Sequence, residues 1–523
     1  MLSRDARAGD RVRPRAGVRG ARGLLGCAVA VAAALAAAPS ASAASAIPFA
    51  HHPITPPPDC KQQKGRWAER TASAGVGTAP DAGADLNADT VNDLWVGQPF
   101  CDVGANTDQG RVYLLSGKQF QTMTSPTVIR QIDSPAPAFK QEFGFFISVI
   151  GDSTHDIAIG TDPQPATTGG TTPPGKAWVF NGDTGALRFE LVSPNSQNGD
   201  RFGSRIGRAG DVNGDGVPDI IVGASNENVG LNPKQGQAYI FSGKDGTLLR
   251  TLDTPDPVAN ANFGLAVQSP GDVNGDGVPD QVVDAANFPG GLPSQGRMYV
   301  FDGTGTGTGS SGTGGLISRI DDPMPQAGAF FGFQDVTPLS PGDLNGDGRA
   351  EIYGNGFLQT DPQSAQPTSG EAWVFDGKSV TKGVPVVLRT LHDPTPEPGG
   401  QFGWSMSKTD YNHDGVNDLY VGQSPHVAAF PANQNGGTYV FDGTNGSLLK
   451  AVEMPTACLQ PGVPPDDNGP ALGWTVSTPG DLNNDGQADY VAGAPFFNRL
   501  PNVDEGVLLA FLSNQPENPG AGC

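Results

Sequence analysis

The sequence is short of cationic charge, of cysteine and of long apolar runs. Of 523 residues only 32 are Lys or Arg, against 54 Asp or Glu, giving a formal net charge of −22. Nucleic-acid and anionic-lipid surfaces are held by clustered cations, so both classes of partner are excluded. Charged residues are only 16% of the chain, which excludes a coiled coil or a highly charged disordered tail. Past the N-terminus no apolar run approaches the ~18 residues of a membrane helix, so no membrane span is expected. The five Cys are scattered and fit no zinc pattern. The six His (His51, His52, His155, His392, His413 and His426) form no H-x-x-x-H pair and are all expected on the surface. There is no G-x-S-x-G elbow, no phosphate-binding Gly loop and no sustained helical periodicity.

What is abundant is glycine and proline, 74 and 47 residues, about twice the usual share. Such a chain turns often. Its length suits several domains or one large repeat protein.

Residues 1–46 differ from the rest. Seven Arg precede an apolar run from Leu24 to Ala38, followed by the small residues Ala41-Ser42-Ala43 and Ala44-Ser45-Ala46. A basic region, a short apolar region and an A-x-A site read as a secretory signal peptide. Leu24-Leu25-Gly26-Cys27 looks like a lipoprotein box, but Cys27 precedes the apolar run instead of following it, so general secretion is expected. Without this segment 25 basic and 52 acidic residues remain, with four Cys: Cys60, Cys101, Cys458 and Cys523. An even count in a secreted chain suggests two disulfides, with three connectivities open.

Self-similarity organises everything downstream. A Phe-Gly pair recurs at Phe143-Gly144, Phe202-Gly203, Phe263-Gly264, Phe331-Gly332 and Phe402-Gly403, and Leu472-Gly473 and Val76-Gly77 stand at the same spacing. Each pair leads to a short apolar stretch, an acidic loop, an apolar run such as Ile220–Ala224, and an alternating aromatic strand such as Gly236–Phe241. A Gly turn and a further short strand follow. Four short strands per repeat, bounded by Gly, Pro, Asn and Asp, are the unit of a propeller blade. The expectation is therefore an all-β fold: a seven-bladed β-propeller of four-stranded antiparallel blades over residues 74–513, with a tail at 514–523. The Gly303–Gly315 tract reads as a flexible hairpin insertion. The seventh repeat lacks a clear fourth strand. The 47–73 segment is expected to supply it, from between Cys60 and Ser73. Propeller topology puts Cys60 near the β2–β3 loop that holds Cys101, so Cys60–Cys101 and Cys458–Cys523 are the expected pairs.

Six repeats keep a D-x-N-x-D-x-x-x-[DE] loop. The oxygen-bearing positions are Asp85, Asn87, Asp89 and Asp93; Asp211, Asn213, Asp215 and Asp219; Asp272, Asn274, Asp276 and Asp280; Asp343, Asn345, Asp347 and Glu351; Asp410, Asn412, Asp414 and Asp418; and Asp481, Asn483, Asp485 and Asp489. The carbonyls of Val217 and Val278 are expected to join them. Calcium takes six to eight oxygens, and alternate side chains around a Gly turn can wrap one ion. The loops differ from an EF-hand: position 12 is apolar (Val222) and the flanks read as strands, so the closing carboxylate falls at position 9. Acidic turns need no metal to exist, but six copies at one offset favour about six structural Ca²⁺. Thr90 replaces Gly in the first loop, and Asp152-Ser153-Thr154-His155-Asp156 of the second repeat is too short to bind.

The Phe-Gly pair, the D-x-N-x-D-G-x-x-D loop and steps such as Gly493-Ala494-Pro495 and Gly223-Ala224-Ser225 resemble the FG-GAP repeats of integrin α-subunit N-terminal propellers. The likeness covers roughly residues 60–512. It implies calcium on the β1–β2 loops of one face and ligands on the other. These features lead to a secreted, monomeric, non-catalytic module that binds an extracellular protein or glycan. The alternative is a secreted propeller hydrolase or lyase acting on polysaccharide or phosphoester, because abundant Asp leaves paired carboxylates possible. Convergent acid or base groups near the axis would favour the enzyme; an aromatic patch would favour the binder.

Overall fold

In the computed structural model the described residues are 84–121, 127–151, 155–166, 169–305, 315–333, 340–424, 435–453, 471–495 and 506–513, together with the backbone of strands Ala50–Ile54 and Arg70–Ser73. Residues 1–46, where a signal peptide is expected, residues 306–314 of the Gly/Thr/Ser tract and the tail 514–523 lie outside them. Seven small antiparallel sheets form a seven-bladed propeller. Blade 3 is representative: Arg205–Gly210, Asp219–Ala224, Gln237–Phe241 and Leu248–Leu252 pair in sequence order. Its second and third strands are wholly buried, while Leu248 and Leu249 of the outer strand are exposed. Blade 5 has three described strands, Ile352–Gly356, Glu371–Phe375 and Val387–His392.

The Phe of each Phe-Gly pair packs on the third strand of its own blade. Phe202 meets Tyr239 and Phe241 with ring centroids 6.0 Å away, and Phe263 and Phe402 repeat this with Tyr299 and Phe301, and Tyr439 and Phe441. A glycine ahead of the third strand then clamps the neighbouring blade. At Gly236, φ is +84°, and a Cβ would lie 2.1 Å from the carbonyl oxygen of Phe263 in blade 4. The same contact recurs between Gly110 and Phe143, Gly296 and Phe331, Gly370 and Phe402, and Gly436 and Leu472. The core is likewise shared between blades: Ile221, Ile240 and Leu252 of blade 3 cluster with Phe263, Val283 and Tyr299 of blade 4.

Ring closure differs from expectation in one respect. The outer strand of blade 7 is Ala50–Ile54, antiparallel to Val507–Leu512 with Ala50 opposite Leu512. It therefore lies ahead of Cys60, not between Cys60 and Ser73. Residues near Ser73 are already engaged, because Arg70–Ser73 is the innermost strand of blade 1, with Arg70 opposite Gly97. That strand also precedes Val76-Gly77, which sequence spacing placed at its start. Eleven residues separate Ser73 from Asp85 in blade 1, whereas in blade 3 Gly210 directly precedes Asp211.

Candidate metal loops and an aromatic axis

Each acidic loop is wrapped by its own side chains. In blade 3 Asp211 accepts from the backbone N–H of Gly214, Asp215 and Gly216 at 2.7, 3.1 and 2.8 Å, Asn213 accepts from Asp215 N–H, and Asp215 accepts from Val217 N–H. Val278 donates to Asp276 in the same way. Short acidic side chains thus take up the turn's N–H groups and hold the loop bent. Asp272, Asp343, Asp410 and Asp481 repeat the pattern. So does Asp85, although Thr90 stands at the Gly position: it adopts φ 76° and donates to Asp85 at 2.7 Å. Asn87, Asn274, Asn412 and Asn483 each turn an amide N–H toward the position-5 carboxylate, Asp89, Asp276, Asp414 and Asp485. Asn345 instead reaches Asp376.

The position-9 carboxylates sit beneath the loops. Asp93, Asp219, Asp280, Glu351, Asp418 and Asp489 are all fully buried. Asp219 accepts from Val212 N–H at 2.9 Å and from Gly243 N–H, in the turn between strands three and four, at 3.1 Å. Asp280, Asp418 and Asp489 bridge the same two sites. Burial pushes their acidity down, to a pKa of about 6 for Asp93, Asp219 and Asp418 and about 7 for Asp280, Glu351 and Asp489. Among the described residues, no Lys or Arg forms an ion pair with any of the six. In blade 5 Asp343, Asp347 and Glu351 bring one oxygen each within 4.8 Å of one another.

Blade 2, without the loop, solves the same problem differently. Asp156 occupies the position-9 place, directly before strand Ile157–Gly160, and is 1% exposed. Its carboxylate pairs with the guanidinium of Arg188, on strand Leu187–Leu191. By strand register the equivalent positions in blades 1, 3, 4, 5 and 6 are Ile129, Leu249, Ile317, Leu388 and Leu449. At this register position, among these six blades, the cationic side chain stands in the blade that lost the loop; Arg130 and Arg250, one residue further along, act electrostatically on Asp93 and Asp280 without forming an ion pair.

A second feature lies where the innermost strands converge. The residue after each x-Gly pair is Phe145, Phe333, Trp404 or Trp474 in four blades. Phe333, Phe357 and Trp404 form a triangle with centroids 5.0, 5.1 and 5.7 Å apart, and Trp474 lies 4.9 Å from Trp404. Arg205 of blade 3 sits over Phe145 and Phe146 of blade 2 and within 6.0 Å of Phe333. Contact between blades 3 and 5 places this cluster at the ring's axis. Phe330, Phe333 and Leu358 are half-buried, and the Trp404 indole N–H is buried without a hydrogen-bond partner. The sequence signal was the aromatic two residues past the pair's first member, legible once the repeats are aligned.

One expectation about a single residue changes. His392 is not a plain surface residue: it lies against buried Glu371 and Asp361, with Nδ1 3.1 Å from Glu371 Oε1. Cys101 is buried and disulfide-bonded; Cys60, Cys458 and Cys523 lie outside the described residues. No helix among the described residues is long and apolar enough to cross a membrane.

Residues 202–241 match the model of the FG-GAP repeat. The chain is 33% identical over 120 residues to phosphatidylinositol-glycan-specific phospholipase D of Bos taurus, covering 22% of this chain and 13% of that protein. It is 28% identical over 213 residues to integrin alpha-PS5 of Drosophila melanogaster, covering 40% of this chain and 18% of the relative. Integrin alpha-2 of Bos taurus is 29% identical over 171 residues, 30% of this chain and 14% of the relative. The matches thus span less than a fifth of each of these relatives. The chain carries FG-GAP repeats in a propeller that resembles those of integrin α-subunits.

Proposed function

We propose that this chain is a secreted, calcium-stabilised binding module that holds an extracellular protein or glycan at the axial aromatic cluster. The observation that carries the reading is the triangle of Phe333, Phe357 and Trp404 with Trp474 beside it. The accessible part of the cluster is its half-buried rim, Phe330 and Phe333, and such aromatic surface suits sugar rings and amphipathic side chains. Secretion rests on the composition of residues 1–46. The phospholipase D match covers 13% of that protein, so its reaction is not carried to this chain. The test uses the full mature chain on glycan and matrix-protein arrays, as wild type and as Phe333→Ser, a half-buried position. Hits weakened at least about tenfold by the substitution support the axial site; hits indifferent to it contradict it.

Calcium fits the six loops on a physical ground. Each holds a fully buried carboxylate beneath two others, and blade 2 supplies Arg188 to the corresponding Asp156. An unneutralised buried carboxylate is costly, and a divalent cation supplies the missing charge. Asp211, Asn213, Asp215 and Asp219, and their counterparts in the other five loops, would hold it. All-oxygen donors suit Ca²⁺. Chelator-stripped protein should melt at a lower temperature than protein in millimolar Ca²⁺; equal melting temperatures would remove the ion from the account.

A further inference from the structure

We propose that Asp361, Glu371 and His392 form a site for a divalent transition-metal ion of the zinc class, independent of the acidic loops. Glu371 opens the third strand of blade 5 and stands opposite His392 at the end of the fourth. Asp361 lies in the loop between strands two and three. Their ligand atoms gather within 4.8 Å of one another. Glu371 is fully buried; its Oε1 faces Nδ1 of His392 at 3.1 Å, and its Oε2 has no hydrogen-bond partner. Asp361, 2% exposed, is fixed by Gln363 N–H at 2.9 Å and Ser364 N–H at 3.2 Å.

In blades 1 and 4 the corresponding cross-strand pairs are ordinary ion pairs, Arg111 with Asp133 and Arg297 with Asp321. Blade 5 replaces the Arg by a Glu and brings in a second carboxylate. One imidazolium N–H can donate to only one of them, so a simple His–Glu pair leaves buried negative charge over. The spacing suits a metal. Bonds of about 2.0–2.1 Å at tetrahedral angles separate ligand atoms by roughly 3.3 Å, and Nδ1 lies 3.1 Å from Glu371 Oε1 and 3.6 Å from Asp361 Oδ1. One nitrogen with two carboxylates is a donor set for Zn²⁺ and its neighbours in softness, whereas Ca²⁺ prefers oxygen alone. The other ring nitrogen, Nε2, is 2.8 Å from the side-chain amide of Gln363. With that amide turned so that its oxygen accepts from Nε2–H, Nδ1 keeps its lone pair for the metal. The His392 side chain is 32% exposed, so a fourth position opens toward water.

Equilibrium dialysis of the chelator-stripped full chain against Zn²⁺ in excess Ca²⁺, with metal counted by mass spectrometry, tests this. One equivalent of Zn²⁺ is expected, falling at least about tenfold in affinity in Glu371→Gln and His392→Gln and unchanged in Glu190→Gln, an exposed position on the outer strand of blade 2. Co²⁺ should give the visible absorption of a four-coordinate site in wild type and lose it in His392→Gln. If Glu371→Gln fails to fold by circular dichroism, the partly exposed His392 carries the comparison. Zinc binding that survives His392→Gln, or no zinc bound above that variant's level, overturns the proposal.

Discussion

Arg188 and the six buried carboxylates without an ion-pair partner express one constraint at single positions. Removing the guanidinium strands Asp156 at 1% exposure. Arg188→Leu should therefore cost about 3 kcal/mol in denaturant unfolding, with no recovery on adding Ca²⁺. The double variant Arg188→Leu with Asp156→Asn should regain most of it, and equal stability of the single and double variants would refute the pairing. The buried position-9 carboxylates also set a pH dependence. Their folded pKa values of about 6 to 7 stand above the unfolded 3.8 of Asp. The folded state thus binds protons more tightly than the unfolded one, and stability falls as pH rises from about 4 through 7. In chelator the melting temperature should fall between pH 5 and 7.5, and Ca²⁺ should flatten the slope; a rise over that window would reverse the sign. Loop positions were legible in the sequence because Asp, Asn and Gly recur at fixed local offsets. Arg188 was not, because its partner lies 32 residues away and only strand register brings them together.

Among the elements, the blade junction and the ring closure carry the most. Gly236 combines a left-handed φ with a 2.1 Å approach to the next blade. Gly236→Ala should cost at least about 1–2 kcal/mol from backbone conformation alone, read by thermal melting, whereas Gly214→Ala, with open space around its Cβ, should omit the clash and cost less. Deleting residues 47–54 removes the strand paired with Val507–Leu512 and should lower the melting temperature sharply; an unchanged curve would show that blade 7 closes without it. The blades were legible because each repeat carries its own pairing order. The closing strand was misplaced because Ala50–Ile54 has only an irregular polar–apolar pattern, His51-His52-Pro53 included, and its partner lies at the far end of the chain.

At the scale of the molecule, the excess of Asp and Glu over Lys and Arg resolves into six loops that each gather carboxylates, with an aromatic cluster where the blades converge. The aromatic axis escaped a linear reading because Phe333, Trp404 and Trp474 are about 70 residues apart and meet only through the ring. Each ion bound at ten times its dissociation constant would stabilise the fold by about 1.4 kcal/mol, so metal and propeller should unfold together. The most direct test is a count of calcium bound to chelator-stripped protein by equilibrium dialysis. About six ions per chain are predicted, with one lost in Asp211→Asn combined with Asp215→Asn; no binding above a denatured control would contradict the account.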